Sequence, residues 1–255
     1  VAWDAGKTTF RTEMYADYKG GRSKTPGEFI EQMPYFNVLL DAWGIPHYRL
    51  NQYEADDIIG TLARKGEEAG YEVVVLSGDK DLIQLADNNI TVKITTKGVT
   101  ELVEYTPEVI FEKYGLTPEQ IIDMKGLMGD SSDNYPGVTK VGEKTAVKLL
   151  QEFGSVEGIY EHVDEMKKSK LKENLINDKE LAFLSKKLAR INVESPIEIT
   201  LEDTLRKEQD VDALMSFYKE MNFNSFQSDL LNSGGATVEE APKAERPTVK
   251  RVAQI

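Results

Sequence analysis

Eight acidic residues carry the strongest chemical signal in this 255-residue chain: Asp4, Glu54, Asp56, Asp57, Asp79, Asp81, Asp130 and Asp133. Asp4 follows the apolar Val1-Ala2-Trp3. Glu54, Asp56 and Asp57 stand where a helical pattern begins, at the end of a helix whose macrodipole favours negative charge. Asp79 and Asp81 follow the β-branched run 71–76 in Ser77-Gly78-Asp79-Lys80-Asp81, at the edge of an open α/β sheet where ligands bind. Asp130 and Asp133, three apart in Gly129-Asp130-Ser131-Ser132-Asp133-Asn134, share one face of a helical turn. Each group alone has a plainer meaning: a helix cap for Glu54 to Asp57, turn formers for Asp79 and Asp81, Asx turns for Asp130 and Asp133. Four groups expected at one sheet edge point instead to a common site.

Carboxylates gathered in this way repel, and burial would force some to keep their protons. Hard divalent cations remove the conflict, and all-oxygen ligation suits Mg²⁺ or Mn²⁺. Two ions about 4 Å apart would stabilise both the attacking and the leaving oxygen of a phosphodiester displacement. With two histidines, His47 and His162, and no cysteine, zinc chemistry and a Cys/His nucleophile are disfavoured.

The elements that must position these acids follow from periodicity. Phe29, Ile30, Met33, Phe36, Leu39, Leu40 and Trp43 recur at helical spacing, with Pro34 starting a second helix or kinking the first. Residues 46–50 read as a short strand, 55–69 as an amphipathic helix, and 71–76 as a central parallel strand. Residues 90–94 and 99–105 add strands around a turn at Lys97-Gly98. This order predicts an α/β fold with a mostly parallel central sheet flanked by helices. Thr117-Pro118-Glu119-Gln120 is a capping box with proline at the first helical position. Helices are expected at 118–128, 143–153, 155–162, 169–190 and 210–221. Residues 231–255 read as a linker or disordered tail.

The chain is 40% hydrophobic and 29% charged, with a formal net charge of −13. Such acidity argues against a nucleic-acid partner when averaged, but distribution matters more than the sum. Lys7, Arg11, Lys19, Arg22 and Lys24 form a local basic stretch against Glu13 and Asp17. No apolar run approaches the roughly 20 residues a membrane helix needs. No basic-then-apolar leader opens the chain. A cytoplasmic location without membrane association is the expectation.

Tyr53-Glu54-Ala55-Asp56-Asp57, Ser77-Gly78-Asp79-Lys80-Asp81, Gly126-Leu127-Met128-Gly129-Asp130-Ser131-Ser132-Asp133-Asn134 and Gly142-Glu143-Lys144-Thr145-Ala146 resemble successive motifs of the 5′-nuclease (5′–3′ exonuclease) domain family of bacterial DNA polymerase I, which is similar to the flap endonucleases. The resemblance runs from Ala2 to about Leu230. It implies a PIN/5′-nuclease-like α/β domain over 1–135, with a helical arch at 7–27, and a helical helix-hairpin-helix subdomain over 136–230. It implies two metal ions: Asp4, Glu54, Asp56, Asp57 and Asp79 serving the first, and Asp81, Asp130 and Asp133 the second, some through water. Arg11, Tyr18, Lys19 and Arg22 would belong to the arch, where Lys19 and Arg22 hold the scissile phosphate and Tyr18 stacks on a base or packs internally.

Gly137-Val138-Thr139-Lys140-Val141-Gly142 resembles the hairpin of the same family. Its glycines and the next helix N-terminus, with Lys140, Lys144 and Thr145, would grip the DNA backbone without reading sequence, and a K⁺ ion would accompany them. The family also begins with a strand bearing an Asp-Gly-Asn motif and a helix, neither of which is found here. The chain is therefore expected to be part of a longer enzyme, linked covalently to a polymerase portion, and monomeric. The function implied is a structure-selective, Mg²⁺-dependent 5′-nuclease acting on flapped, nicked or gapped DNA in primer removal and repair. A non-catalytic DNA-binding module and a related metal-dependent ribonuclease are the alternatives.

Overall fold

Strand and helix alternate as expected, but the sheet is smaller and more mixed than the periodicity suggests. A computed structural model of the chain describes residues 1–98 and 100–232. Strand β1 (Val73–Ser77) pairs in parallel with β2 (Ile90–Lys97), which pairs antiparallel with β3 (Glu101–Tyr105). A tight turn through Gly98, at φ +61°, returns the chain directly and leaves no length for the crossover that a parallel pair requires. Val99, expected to start the third strand, lies outside the described residues.

Alternate residues of β1 are buried rather than all of them: Val75 is in the core, whereas Val74 and Leu76 are exposed. Residues 46–50 make no strand. Instead Tyr48 forms an isolated parallel bridge to Ala2, with the Trp3 N–H donating to the Tyr48 carbonyl at 3.0 Å. Pro46 has no N–H with which to extend such a ladder.

The helices are α1 (Phe10–Met14), α2 (Gly27–Ala42), α3 (Ala55–Glu68), α4 (Pro107–Tyr114), α5 (Pro118–Met128), α6 (Glu143–Phe153), α7 (Val156–His162), α8 (Lys170–Asn177), α9 (Lys179–Ala189), α10 (Val211–Glu220) and α11 (Asn224–Asn232). Pro34 lies inside α2, which continues past it. The α5 capping box forms as its sequence dictates, with Thr117 N–H donating to Gln120 Oε1 at 2.9 Å and Gln120 N–H to Thr117 Oγ1 at 3.3 Å. The single helix expected over 169–190 is two. Asp178 separates α8 from α9, its carboxylate accepting the Thr139 N–H at 2.8 Å.

One hydrophobic core runs from Val75, Leu82, Ile90 and Ile94 through Leu116 and Leu127 to Ala146, Leu150 and Leu175. Packing is thus continuous across residues 135 and 136, where a domain boundary was expected. Contacts divide the chain otherwise, into a unit of Val1–Ile30 with His47–Leu205 and a unit of Glu31–Pro46 with the residues from Arg206 onward. In the first, α5 and α9 cross closely: a Cβ on Gly126 would come within 2.8 Å of Lys186 Cβ. The second has its own small core of Ala42, Leu214, Phe217 and Tyr218. The expected tail from 231 begins inside α11 and lies outside the described residues from 233 on. Among the described residues no helix is long and apolar enough to cross a membrane.

Candidate metal centre

The segment preceding α3 sets the first group of acids. Glu54 is the N-cap residue, and its N–H donates to Asp57 Oδ2 at 3.0 Å. Asp57 is fully buried, and both its oxygens are engaged. Arg11 reaches them with Nη1 and Nη2 at 2.8 Å each, and the Asn192 N–H donates to Oδ1 at 2.8 Å. Asp57 therefore anchors the fold and has no oxygen free for an ion. Arg11 differs from expectation for the same reason. It is buried, also donating to the carbonyls of Leu188 and Arg190, and does not face a DNA path. Asp4 Oδ1 accepts the Ala55 N–H at 2.8 Å, adding a cap from 51 residues away.

The second group follows β1. Asp79 caps the 3-10 turn Lys80–Leu85, accepting the Asp81 N–H at 2.8 Å. Asp81 Oδ1 lies 2.7 Å from Lys125 Nζ, which also contacts Asp130 Oδ2 at 2.5 Å. Asp130 Oδ1 holds an Asx turn, accepting from the Ser132 N–H and hydroxyl and from the Asp133 N–H. Capping and site-building are therefore compatible for Asp4 and Asp79, each of which spends one oxygen on a backbone N–H, whereas both oxygens of Asp130 are engaged, Oδ2 by Lys125.

Glu54, Asp56, Asp81 and Asp133 line one small cavity with Tyr18 and Tyr135. Burial, followed by Asp79, Glu54 and Asp4 and opposed by Lys19, pushes the Asp56 carboxyl up to about 7. Burial also raises Asp81, with Asp79 and Asp130 adding to it and Lys125 opposing. Burial alone would raise Asp130 too, but Lys125 and Ser132 hold it down to about 2. The Tyr135 hydroxyl is buried without a hydrogen-bond partner. Burial, then Asp81, Asp130 and Asp133, keep it protonated.

An all-carboxylate donor set beside an unmatched phenol fits a hydrated hard cation. As the side chains stand, among the described residues no three acids lie close enough to hold an ion; Glu54, Asp81, Asp130 and Asp133 are instead paired with the protein's own ammonium and guanidinium groups.

Two of those groups come from the expected arch. Lys19 Nζ lies 2.7 Å from Glu54 Oε1 and 3.9 Å from Asp133 Oδ2, and half-exposed Arg22 donates to Asp133 Oδ1 at 2.5 Å. Tyr18 is buried; its hydroxyl donates towards Glu54 and Asp133 at 3.2 Å and its ring stacks on Tyr135. It packs within the protein rather than against a base. The hairpin also divides. Gly137, at φ +62°, is buried so close to Gly129 that a Cβ would meet its nitrogen at 2.2 Å, and its N–H donates to Ser185 Oγ. Lys140, Gly142 and Lys144 are exposed, with Gly142 as N-cap of α6 and Thr145 half-buried in its first turn.

Sequence reasoning passed over Lys125 and Tyr135. A lysine within the apolar run of Pro118–Met128 was the available signal, since an enclosed ammonium requires an anion.

Comparison with known proteins identifies the family to which the chain belongs. The family model described as the 5′–3′ exonuclease N-terminal resolvase-like domain matches residues 1–115, and the 5′–3′ exonuclease C-terminal SAM fold matches 116–212. DNA polymerase I of Lactococcus lactis subsp. cremoris is 60% identical over 247 residues, covering 96% of this chain and 28% of the polymerase. The chain thus spans under a third of that relative's length. Among solved structures, the T5 5′-exonuclease with bound divalent zinc ions is 26% identical with a TM-score of 0.65, covering 91% of this chain and 82% of the other. A bacteriophage T5 flap endonuclease in a pseudo-enzyme–product complex with DNA and metal ions is 25% identical with a TM-score of 0.64, at 91% and 82% coverage.

Proposed function

Because the chain belongs to the 5′–3′ exonuclease family, we propose that it hydrolyses DNA phosphodiesters at 5′ flaps and nicks, using two divalent cations of the Mg²⁺ or Mn²⁺ type. The observation that carries this reading is the single cavity shared by Glu54, Asp56, Asp81 and Asp133 and flanked by Lys19 and Arg22. Glu54, Asp56 and Asp79, with Asp4 at its margin, would hold one ion, and Asp81, Asp130 and Asp133 the other. Bound there, the ions would supply Lewis-acid stabilisation of the attacking and leaving oxygens.

The chain's own groups do the rest. Lys19 and Arg22 would exchange their carboxylate partners for the scissile phosphate, offsetting the charge that grows on its oxygens. The Tyr135 hydroxyl, neutral and unpartnered, would orient water inside the cavity. Lys140, Lys144, Thr145 and the open N-terminus of α6 at Gly142 would hold the duplex backbone, a contact that positions without reading sequence. In-line displacement would leave a 5′-phosphate and a 3′-hydroxyl. In the full-length protein a polymerase portion would follow in the same chain, and K⁺ would bind beside the hairpin.

Cleavage of a labelled 5′-flap duplex with Mg²⁺ and with EDTA tests the reading, alongside Asp81→Asn in the intact protein. Cutting that ignores the chelator, or full activity of Asp81→Asn, would overturn it. A parallel RNA-flap substrate separates it from a ribonuclease.

A further inference from the structure

Lys125 stands apart from the other basic groups at the acids. It projects from α5, a helix whose other inward residues are largely apolar, rather than from the segment expected to meet a phosphate. Its ammonium bridges Asp81 Oδ1 at 2.7 Å and Asp130 Oδ2 at 2.5 Å, with side-chain exposures of 17%, 19% and 13% for the three residues. Asp130 has no better oxygen to offer, because Oδ1 already accepts three hydrogen bonds. A cation shared by these two carboxylates would need oxygen contacts of about 2.1 Å in the same small volume. An ammonium and such an ion cannot occupy it together.

We propose that Lys125 is a positioning residue that competes with a divalent cation for the Asp81–Asp130 pair and thereby sets how tightly that ion binds. The proposal rests on the two-cation reading above. Loading this position requires the ammonium to swing away on its flexible four-carbon stem, which a lysine can do more readily than a forked, bidentate arginine. The ion served by Glu54, Asp56 and Asp79 meets Lys19 at Glu54 instead, an ammonium on the segment proposed above to turn to the scissile phosphate. The two ions should therefore load unequally, with the Asp81–Asp130 ion the weaker.

The test is Mn²⁺ titration of the intact protein, reading free Mn²⁺ by its electron paramagnetic resonance signal. In Lys125→Met, which keeps the length of the side chain and removes its charge, the weaker dissociation constant should fall about tenfold or more. Lys125→Arg, retaining the charge, should stay within about threefold of wild type. A merely structural lysine would leave Mn²⁺ binding unchanged or weaken it, and either outcome in a folded Lys125→Met overturns the proposal. If that variant is unfolded without Mn²⁺, recovery of its circular dichroism below the wild-type dissociation constant supports the proposal. Recovery only above that concentration, or none, overturns it. Absence of Mn²⁺ binding by wild type would defeat the two-cation reading itself, a result distinct from wild-type binding that Lys125→Met leaves unaltered.

Discussion

Arg11 and Asp57 close on each other through two hydrogen bonds of 2.8 Å, with side-chain exposures of 2% and 0%. The pair ties α1 to the start of α3, and the same guanidinium reaches the carbonyls of Leu188 and Arg190 at the end of α9. Removing one partner leaves a buried charge unmatched. Arg11→Met should therefore destabilise the protein by about 3–5 kcal/mol, read as a lower midpoint in urea denaturation. A midpoint equal to wild type would show that the pair is dispensable.

Lys19 and Arg22 should separate from the hairpin lysines in kinetics. If they act on the transition state, Lys19→Ala and Arg22→Ala lower kcat by about 10²-fold or more and change KM little. Single-turnover flap cleavage at saturating enzyme measures this directly. A raised KM with unchanged kcat would reassign both to ground-state binding.

Lys140 and Lys144 should contribute to affinity alone. Each Lys→Ala change should weaken DNA binding equally for unrelated sequences and reduce the slope of log K against log salt by about one. Fluorescence anisotropy over a range of KCl concentrations reads both quantities. Sequence-dependent losses would contradict a backbone grip.

Asp56 predicts a pH signature in EDTA. Its carboxyl titrates near 7 in the folded protein, against 3.8 as the ordinary value. Between those pH values the native state holds the extra proton, so stability falls as pH rises through the interval and levels off above 7. Asp56→Asn removes that loss. The variant should be more stable than wild type at pH 7.5, by on the order of 4 kcal/mol, with the difference vanishing near pH 4. Thermal melts at the two pH values decide it.

Local signals were legible in the sequence and distant ones were not. The α5 capping box needs only Thr117 and Gln120, three residues apart, and it formed as read. Asp79 and Asp81 at the carboxyl end of β1 were likewise readable, because strand direction fixes where that loop emerges. The burial of Asp57 depends on Arg11, 46 residues earlier, and on Asn192, 135 residues later. No spacing rule reports such a pairing. Gly137 was legible as a special glycine but for the wrong neighbour: its missing side chain admits Gly129 rather than a phosphate. Strand β3 was read within residues 99–105, but its antiparallel direction was not, because a short apolar run looks the same in either orientation.

On the proposed two-cation reading, the pairing of Lys19, Arg22 and Lys125 with the acids has a bearing on how the protein endures scarcity of its ions. Small zinc domains collapse when stripped, since nothing else offsets their ligands. Here side chains already supply countercharge for Glu54, Asp81, Asp130 and Asp133. Depletion should silence the nuclease while leaving its architecture intact, so that returning the ion restores cutting at once, without refolding.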